Sequence, residues 1–241
     1  MNLTGNKILI TGGASGIGFA LAERFSQEGN TIIICGRRQD ALLEAQQKYP
    51  TWITHVADAA TEEGREALFH WIMKEHPDTN VLINNAGIQN WMKVDEPDYY
   101  HRAKAELAIN VEAPLHLTQL FLNAHSINTI INVTSGLSFA PLTKTPVYSA
   151  TKAFLHSYTR SMRHLLQERG IEVIELIPPA LNTDLGGKGI HDFAPPVSGF
   201  IDTTFEQLKA GKPQVTYMFS EAMLKAGQEE REAAFGKLNG Q

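Results

Sequence analysis

Lys7-Ile8-Leu9-Ile10-Thr11 runs directly into Gly12-Gly13-Ala14-Ser15-Gly16-Ile17-Gly18. The first five residues are almost continuously apolar, as a parallel strand covered on both faces must be. Ile17, Leu21 and Phe25 then recur at four-residue spacing, which predicts an amphipathic helix, and Gly29 supplies its stop. Between strand and helix lies the glycine turn. Glycines let the backbone bend sharply and approach a ligand, while the helix N-terminus offers free N–H groups and the positive end of its dipole. Strand, glycine turn and helix together form a pyrophosphate cradle. Any tight strand-to-helix junction can also use two glycines, so the rest of the chain has to decide.

It repeats the same rhythm. Thr31–Cys35, Trp52–Val56, Val81–Asn84, Thr129–Thr134 and Glu172–Ile177 are further short apolar runs, separated by helical patterns. Thr61 followed by Glu62 and Glu63 reads as a helix start, with Leu68, Trp71 and Ile72 facing inward. The expectation is an α/β fold: a Rossmann-type doubly wound parallel sheet with helices on both faces, forming one domain over residues 1–241. The rhythm breaks after Thr183. Residues 184–199 are rich in glycine and proline and should open a substrate lid reaching to about residue 212. Beyond them, Phe200–Lys209 and Glu221–Lys237 read as helices and Gln214–Tyr217 as a short strand.

The net charge of −5, with no basic run, argues against a nucleic-acid partner. Cys35, the single cysteine, lies in an apolar run and reads as a buried inert thiol in a reducing compartment. No targeting segment precedes the first strand, and no apolar run approaches the roughly 18 residues of a membrane span. The expected location is the cytoplasm, without membrane contact. The nine histidines show no metal-ligand spacing, so no metal site is expected.

Tyr148 and Lys152 stand four apart, on one face of a helix. A free phenol titrates near pH ~10, and a nearby ammonium favours its phenolate, so the pair has the makings of a general acid/base at neutral pH. Asn110 lies within a helical pattern running from Asp98 to Leu122, and Pro114 follows it by four residues. Proline has no N–H to give the Asn110 carbonyl, so a bulge or kink is expected there. After the second strand the chain reads Gly36-Arg37-Arg38. An acidic residue at that point would bind a ribose 2′-hydroxyl and repel a 2′-phosphate, whereas glycine leaves space and arginine offers a phosphate fork. The arginines could also be plain surface charges; the preferred cofactor is NADP, with NAD less favoured. Trp91 reads equally as a substrate-pocket wall or as cover for the core, and Ser138 as pocket lining or a turn cap.

Taken together, Gly12-x-x-x-Gly16-x-Gly18, Asn84-Asn85-Ala86-Gly87 and Tyr148-Ser149-Ala150-Thr151-Lys152 resemble the short-chain dehydrogenase/reductase family over about residues 5 to 183. The run from Ser135 to Leu142 and the Pro178-Pro179 pair resemble its DltE-like bacterial subgroup. The resemblance implies a catalytic tetrad of Asn110, Ser135, Tyr148 and Lys152. Ser135, at the family spacing from Tyr148, would bond the substrate oxygen in preference to Thr134 or Ser138. Lys152 would also hold the nicotinamide ribose, and Asn110 a water in a proton relay. It further implies cofactor contacts from Gly12, Ser15, Gly16, Ile17, Gly18, Arg37, Arg38, Asp58, Ala59, Asn85, Ala86 and Gly87. Tyr148, Lys152, Pro178, Leu181 and Thr183 complete that set, with Asp58 at adenine, the Leu181 backbone and Thr183 hydroxyl at the carboxamide. Pro179 replaces a family glycine, so that backbone differs in detail. The activity implied is hydride transfer between NADP and a small carbonyl or alcohol, in a homodimer or homotetramer. The alternatives are a catalytically silent NADP-binding regulatory protein and, less fitting for this chain length and glycine spacing, an epimerase or dehydratase of the extended relatives.

Overall fold

A computed structural model describes residues 1–124 and 126–240. Seven strands are present in that description: β1 Lys7–Thr11, β2 Thr31–Gly36, β3 Ile53–Val56, β4 Val81–Asn84, β5 Thr129–Val133, β6 Glu172–Ile177 and β7 Gln214–Thr216. They form one parallel sheet in the order β3-β2-β1-β4-β5-β6-β7. Alternate residues of each strand enter opposite cores. Ile8 and Ile10 pack with α1 (Gly16–Gln27), α2 (Gln39–Lys48) and α7 (Val197–Lys209). Leu9 packs on the other face with α3 (Glu62–Glu75) and α5 (Ala113–Asn123). Two buried faces therefore require the unbroken apolar runs. The strand order reverses between β1 and β4, which opens a crevice at their carboxyl ends.

Local signals explain the boundaries. The Thr61 hydroxyl accepts from the Gly64 N–H at 3.0 Å and caps α3. Gly29 takes φ +83° just past α1. Before Pro114, the helix α4 (Tyr99–Leu107) passes into a π-helical turn, Ala108–Glu112, before continuing as α5. The Ala113 N–H reaches back to the Ala108 carbonyl, the five-residue bond that a π-bulge makes.

Three expectations need correction. The Glu221–Lys237 pattern is two helices, α8 (Phe219–Lys225) and α9 (Gln228–Leu238), because the backbone is extended at Ala226 and Gly227. Trp52 is not part of β3; it is buried and stacks on Tyr49 with ring centroids 4.3 Å apart. Of residues 184–212, expected as a lid, the α7 part packs into the core as scaffold. Phe200 and Phe205 are fully buried, and Phe205 lies 4.7 Å from Phe25 of α1. The loop itself is closed at its base, where the Asn182 N–H donates to the Pro195 carbonyl at 2.9 Å.

Candidate active site

The crevice is a cavity of about 820 Å³. Its floor is built where β1 and β4 end. The Thr11 hydroxyl accepts from the Asn85 and Ala86 N–H groups at 3.1 and 3.0 Å. The Asn85 amide donates to the Thr11 and Gly12 carbonyls at 2.9 and 3.2 Å. Gly18 makes this possible: a Cβ there would collide with the Asn85 amide and lie 2.5 Å from the Gly12 oxygen. Gly18 thus supports the turn from beneath, while Gly12, Ser15, Gly16 and Ile17 face the cavity. At one end, Gly36, Arg37 and Arg38 line it, and the Arg38 guanidinium donates to the Ser15 hydroxyl at 3.0 Å. Ala59 also lines that end. Asp58 does not; its carboxylate accepts from the Ala60 N–H at 3.0 Å and holds its own turn.

At the other end stand Tyr148 and Lys152, both on α6 (Pro146–Leu165) and both buried. The Lys152 amine donates to the Val133 carbonyl at 2.8 Å and lies 5.6 Å from the centre of the Tyr148 ring. Burial pushes the amine down to about 8. Burial pushes the Tyr148 phenol well above its ordinary value; the nearby Ser135 hydroxyl opposes that rise and the charge of Glu106 adds to it. Of the competing hydroxyls, Thr134 is committed to the buried Glu175 carboxylate at 2.8 Å, which His156 also contacts at 2.8 Å. Ser135 accepts from the Leu137 N–H at 3.2 Å and keeps its own proton to donate. Ser138 is a buried hydroxyl without a partner.

Asn110 sits inside the π-helical turn, 1% exposed. Its amide donates to the Ile88 carbonyl at 2.9 Å and to the Thr151 hydroxyl at 3.1 Å, and accepts from the Ile88 N–H at 2.9 Å. It therefore ties α6 to the loop after β4. Gly87 passes between them: a Cβ there would be 3.2 Å from Asn110 Oδ1 and 3.6 Å from Lys152 Nζ. Pro178 and Thr183 line the cavity, and the Pro178 carbonyl accepts from the Gly136 N–H at 2.9 Å. Leu181 sends its side chain into the core, which leaves its backbone for the contact expected of it. Cys35 is buried and its thiol is pushed up to about 12 by desolvation, which makes it inert.

Other residues here escape a reading by motif. Gln89, Asn90, Leu185 and Gly186 complete the wall. Glu106, four residues before Asn110, is fully buried, and burial raises its carboxyl; one of its oxygens accepts from the Asn90 N–H and the other has no partner among the described residues. Its position one helical turn from Asn110 was the available signal. Away from the cavity, Glu62, Glu66 and His116 bring donor atoms within 4.8 Å of one another, a grouping histidine spacing does not reveal. Arg65 donates to His116 Nδ1 at 3.1 Å and supplies positive charge there.

The sequence profile of the short chain dehydrogenases matches residues 6–192. The chain belongs to that family. As a short-chain dehydrogenase it is an oxidoreductase, and it falls with the DltE-like branch. It is 40% identical over 252 residues to the uncharacterized oxidoreductase DltE of Bacillus subtilis (strain 168), covering 100% of this chain and 99% of that one. Its fold matches that of a short chain dehydrogenase from Burkholderia cenocepacia J2315 in complex with NADP, at TM-score 0.84 and 23% identity, covering 99% of each. A further similar structure is the L-sorbose reductase of Gluconobacter frateurii, complexed with NADPH and L-sorbose. It shows 27% identity and TM-score 0.70, over 76% of this chain and 72% of that one.

Proposed function

We propose that this short-chain dehydrogenase interconverts a small carbonyl compound and its alcohol with NADP, Tyr148 acting as general acid/base. The observation that carries the reading is the meeting of Tyr148 and Lys152 at the end of a glycine-floored cavity. A nicotinamide nucleotide, when bound, supplies or accepts the hydride. Gly12, Ser15, Gly16 and Ile17 would hold its pyrophosphate at the positive end of α1. Pro178 and Thr183 flank the opposite end, with Thr183 packed against Gly16. The buried phenol of Tyr148 is protonated and gives its proton to the carbonyl oxygen in reduction. In oxidation it takes the proton back, and the Lys152 ammonium stabilises the phenolate formed. Ser135 donates to the same oxygen and polarises it. A coupled assay that follows NADPH absorbance over a panel of carbonyls tests the reading; nicotinamide binding without any turnover would leave the silent regulatory role instead. The buried thiol suits a reducing compartment, in keeping with a cytoplasmic location.

Family membership does not choose between the two nicotinamides. Gly36 has open space above it, and Arg37 is exposed on the cavity wall beside it. This is room and charge for a 2′-phosphate, and the sorbose reductase relative was solved with NADPH. NADPH should bind at least tenfold tighter than NADH, about 1.4 kcal/mol. Calorimetric titration of wild type and Arg37→Ala checks this: the substitution should remove most of the difference, and equal affinities in wild type would overturn it.

The loop from Asp184 to Gly186 lies on the cavity wall. It should exclude water from the reacting centre when substrate binds. Amide hydrogen exchange over residues 184–196 should slow with NADP and substrate together; strong protection that ignores ligands would make the loop fixed scaffold. The exposed Phe154 and Leu165 on α6 offer apolar surface for a homodimer or homotetramer, which light scattering reads directly.

A further inference from the structure

Gln89 lines the cavity, yet it is only 6% exposed and its Oε1 has no hydrogen-bond partner among the described residues. Two residues before it, Gly87 passes beside the Lys152 amine. On the outer side, Gly186 takes φ +81°, and a Cβ there would lie 3.1 Å from Gln89 Oε1 and 3.4 Å from Trp91 Nε1. Gln89 therefore lies on the cavity wall beneath Gly186, two residues along the chain from the glycine that passes the Lys152 amine. Its backbone is pinned on both sides. The Ile88 N–H donates to Asn110 Oδ1 at 2.9 Å, and the Asn90 N–H donates to the Glu106 carboxylate. A side chain on so fixed a support is pre-organised.

A buried amide oxygen without a donor is destabilising, and such an atom in a native cavity marks the place of a missing partner. We propose that Gln89 is the substrate-recognition residue of this site and selects carbonyl compounds that carry a hydroxyl beside the reacting carbon: α-hydroxy ketones and aldehydes, and the vicinal diols they form. This rests on the oxidoreductase reading above. The chemistry narrows to a hydroxyl for two reasons. A side-chain amide can turn end for end and present acceptor or donor, and a hydroxyl answers either. Asp184, exposed on the wall two residues before Gly186, disfavours an anionic substrate group beside it. A site built to bond a hydroxyl discriminates strongly against an analogue that lacks it, because the polar group is then left buried and unpaired.

The test uses matched probes in which a methyl replaces the hydroxyl. Hydroxyacetone and 2-butanone are compared as substrates with NADPH, in wild type and in Gln89→Met, which keeps length but has neither amide atom. In parallel, 1,2-propanediol and 2-butanol are compared as ligands of the protein saturated with NADP, by the shift in unfolding temperature. Wild type should favour hydroxyacetone at least tenfold in kcat/KM and be stabilised more by the diol, and Gln89→Met should lose both preferences. Equal use of the two ketones by wild type, or an unchanged ratio in Gln89→Met, overturns the subsite while leaving the oxidoreductase reading intact. If neither ketone is reduced, the binding comparison decides. A diol preference lost in Gln89→Met upholds the subsite; no diol preference, or one that Gln89→Met retains, overturns it. Gln89→Leu repeats the comparison if Gln89→Met is poorly folded, as judged by NADPH binding.

Discussion

Tyr148→Phe should lower turnover of any carbonyl the enzyme reduces by about 10²–10⁴-fold, the range general acid/base groups supply. Only the hydroxyl is removed. The ring that fills its buried position on the cavity wall remains, so packing changes little. NADPH affinity, followed by nucleotide fluorescence, should stay within a few-fold of wild type. Burial raises the phenol, so the cofactor-free protein holds it protonated and ready to donate. In the oxidation direction the rate should therefore rise with pH, as the phenolate forms more readily. A Tyr148→Phe protein retaining most of its activity would move the acid/base role to another group.

Lys152→Met should do two opposite things. Activity should fall by at least about a hundredfold, since the ammonium proposed to support the phenolate is gone. Stability of the cofactor-free protein should rise, because wild type keeps a buried amine whose proton affinity is pushed down to about 8 from 10.5. The unfolded chain binds this proton more tightly than the native state does. The charged form thus destabilises the fold at every pH below about 8, and the penalty fades as pH climbs from there toward 10.5. Losing the bond to the Val133 carbonyl offsets part of the gain. A net gain of about 2 kcal/mol near pH 7 would raise Tm by roughly 4–8 °C in a chain of this size. Melting curves of both proteins at pH 7 and pH 10 check this: the two should converge at the higher pH. A variant that melts lower than wild type at pH 7 would show that the amine contributes more through its hydrogen bond than burial costs it.

The sheet was legible because its information is local. A strand buried on both faces must be continuously apolar, and a helix between strands must repeat near every fourth residue, so β1 to β6 and α1 declare themselves in short windows. Pro114 announced its bulge for the same reason: a missing N–H acts only on the turn before it. The candidate site was legible where side chains share an element, as Tyr148 and Lys152 do on α6, or where a turn follows a strand, as at Gly12–Gly18. Other features waited for packing. Thr134 and Ser135 are neighbours with the same kind of hydroxyl, and only the arrival of Glu175 from β6 occupies one of them. α7 read only as a helix within the range expected for a lid, but Phe200 and Phe205 bury it in the core. Gln89 looks ordinary in the chain. Its place beneath Gly186 comes from a segment about a hundred residues downstream, and its buried oxygen is left without a partner among the described residues only once that segment has closed over it.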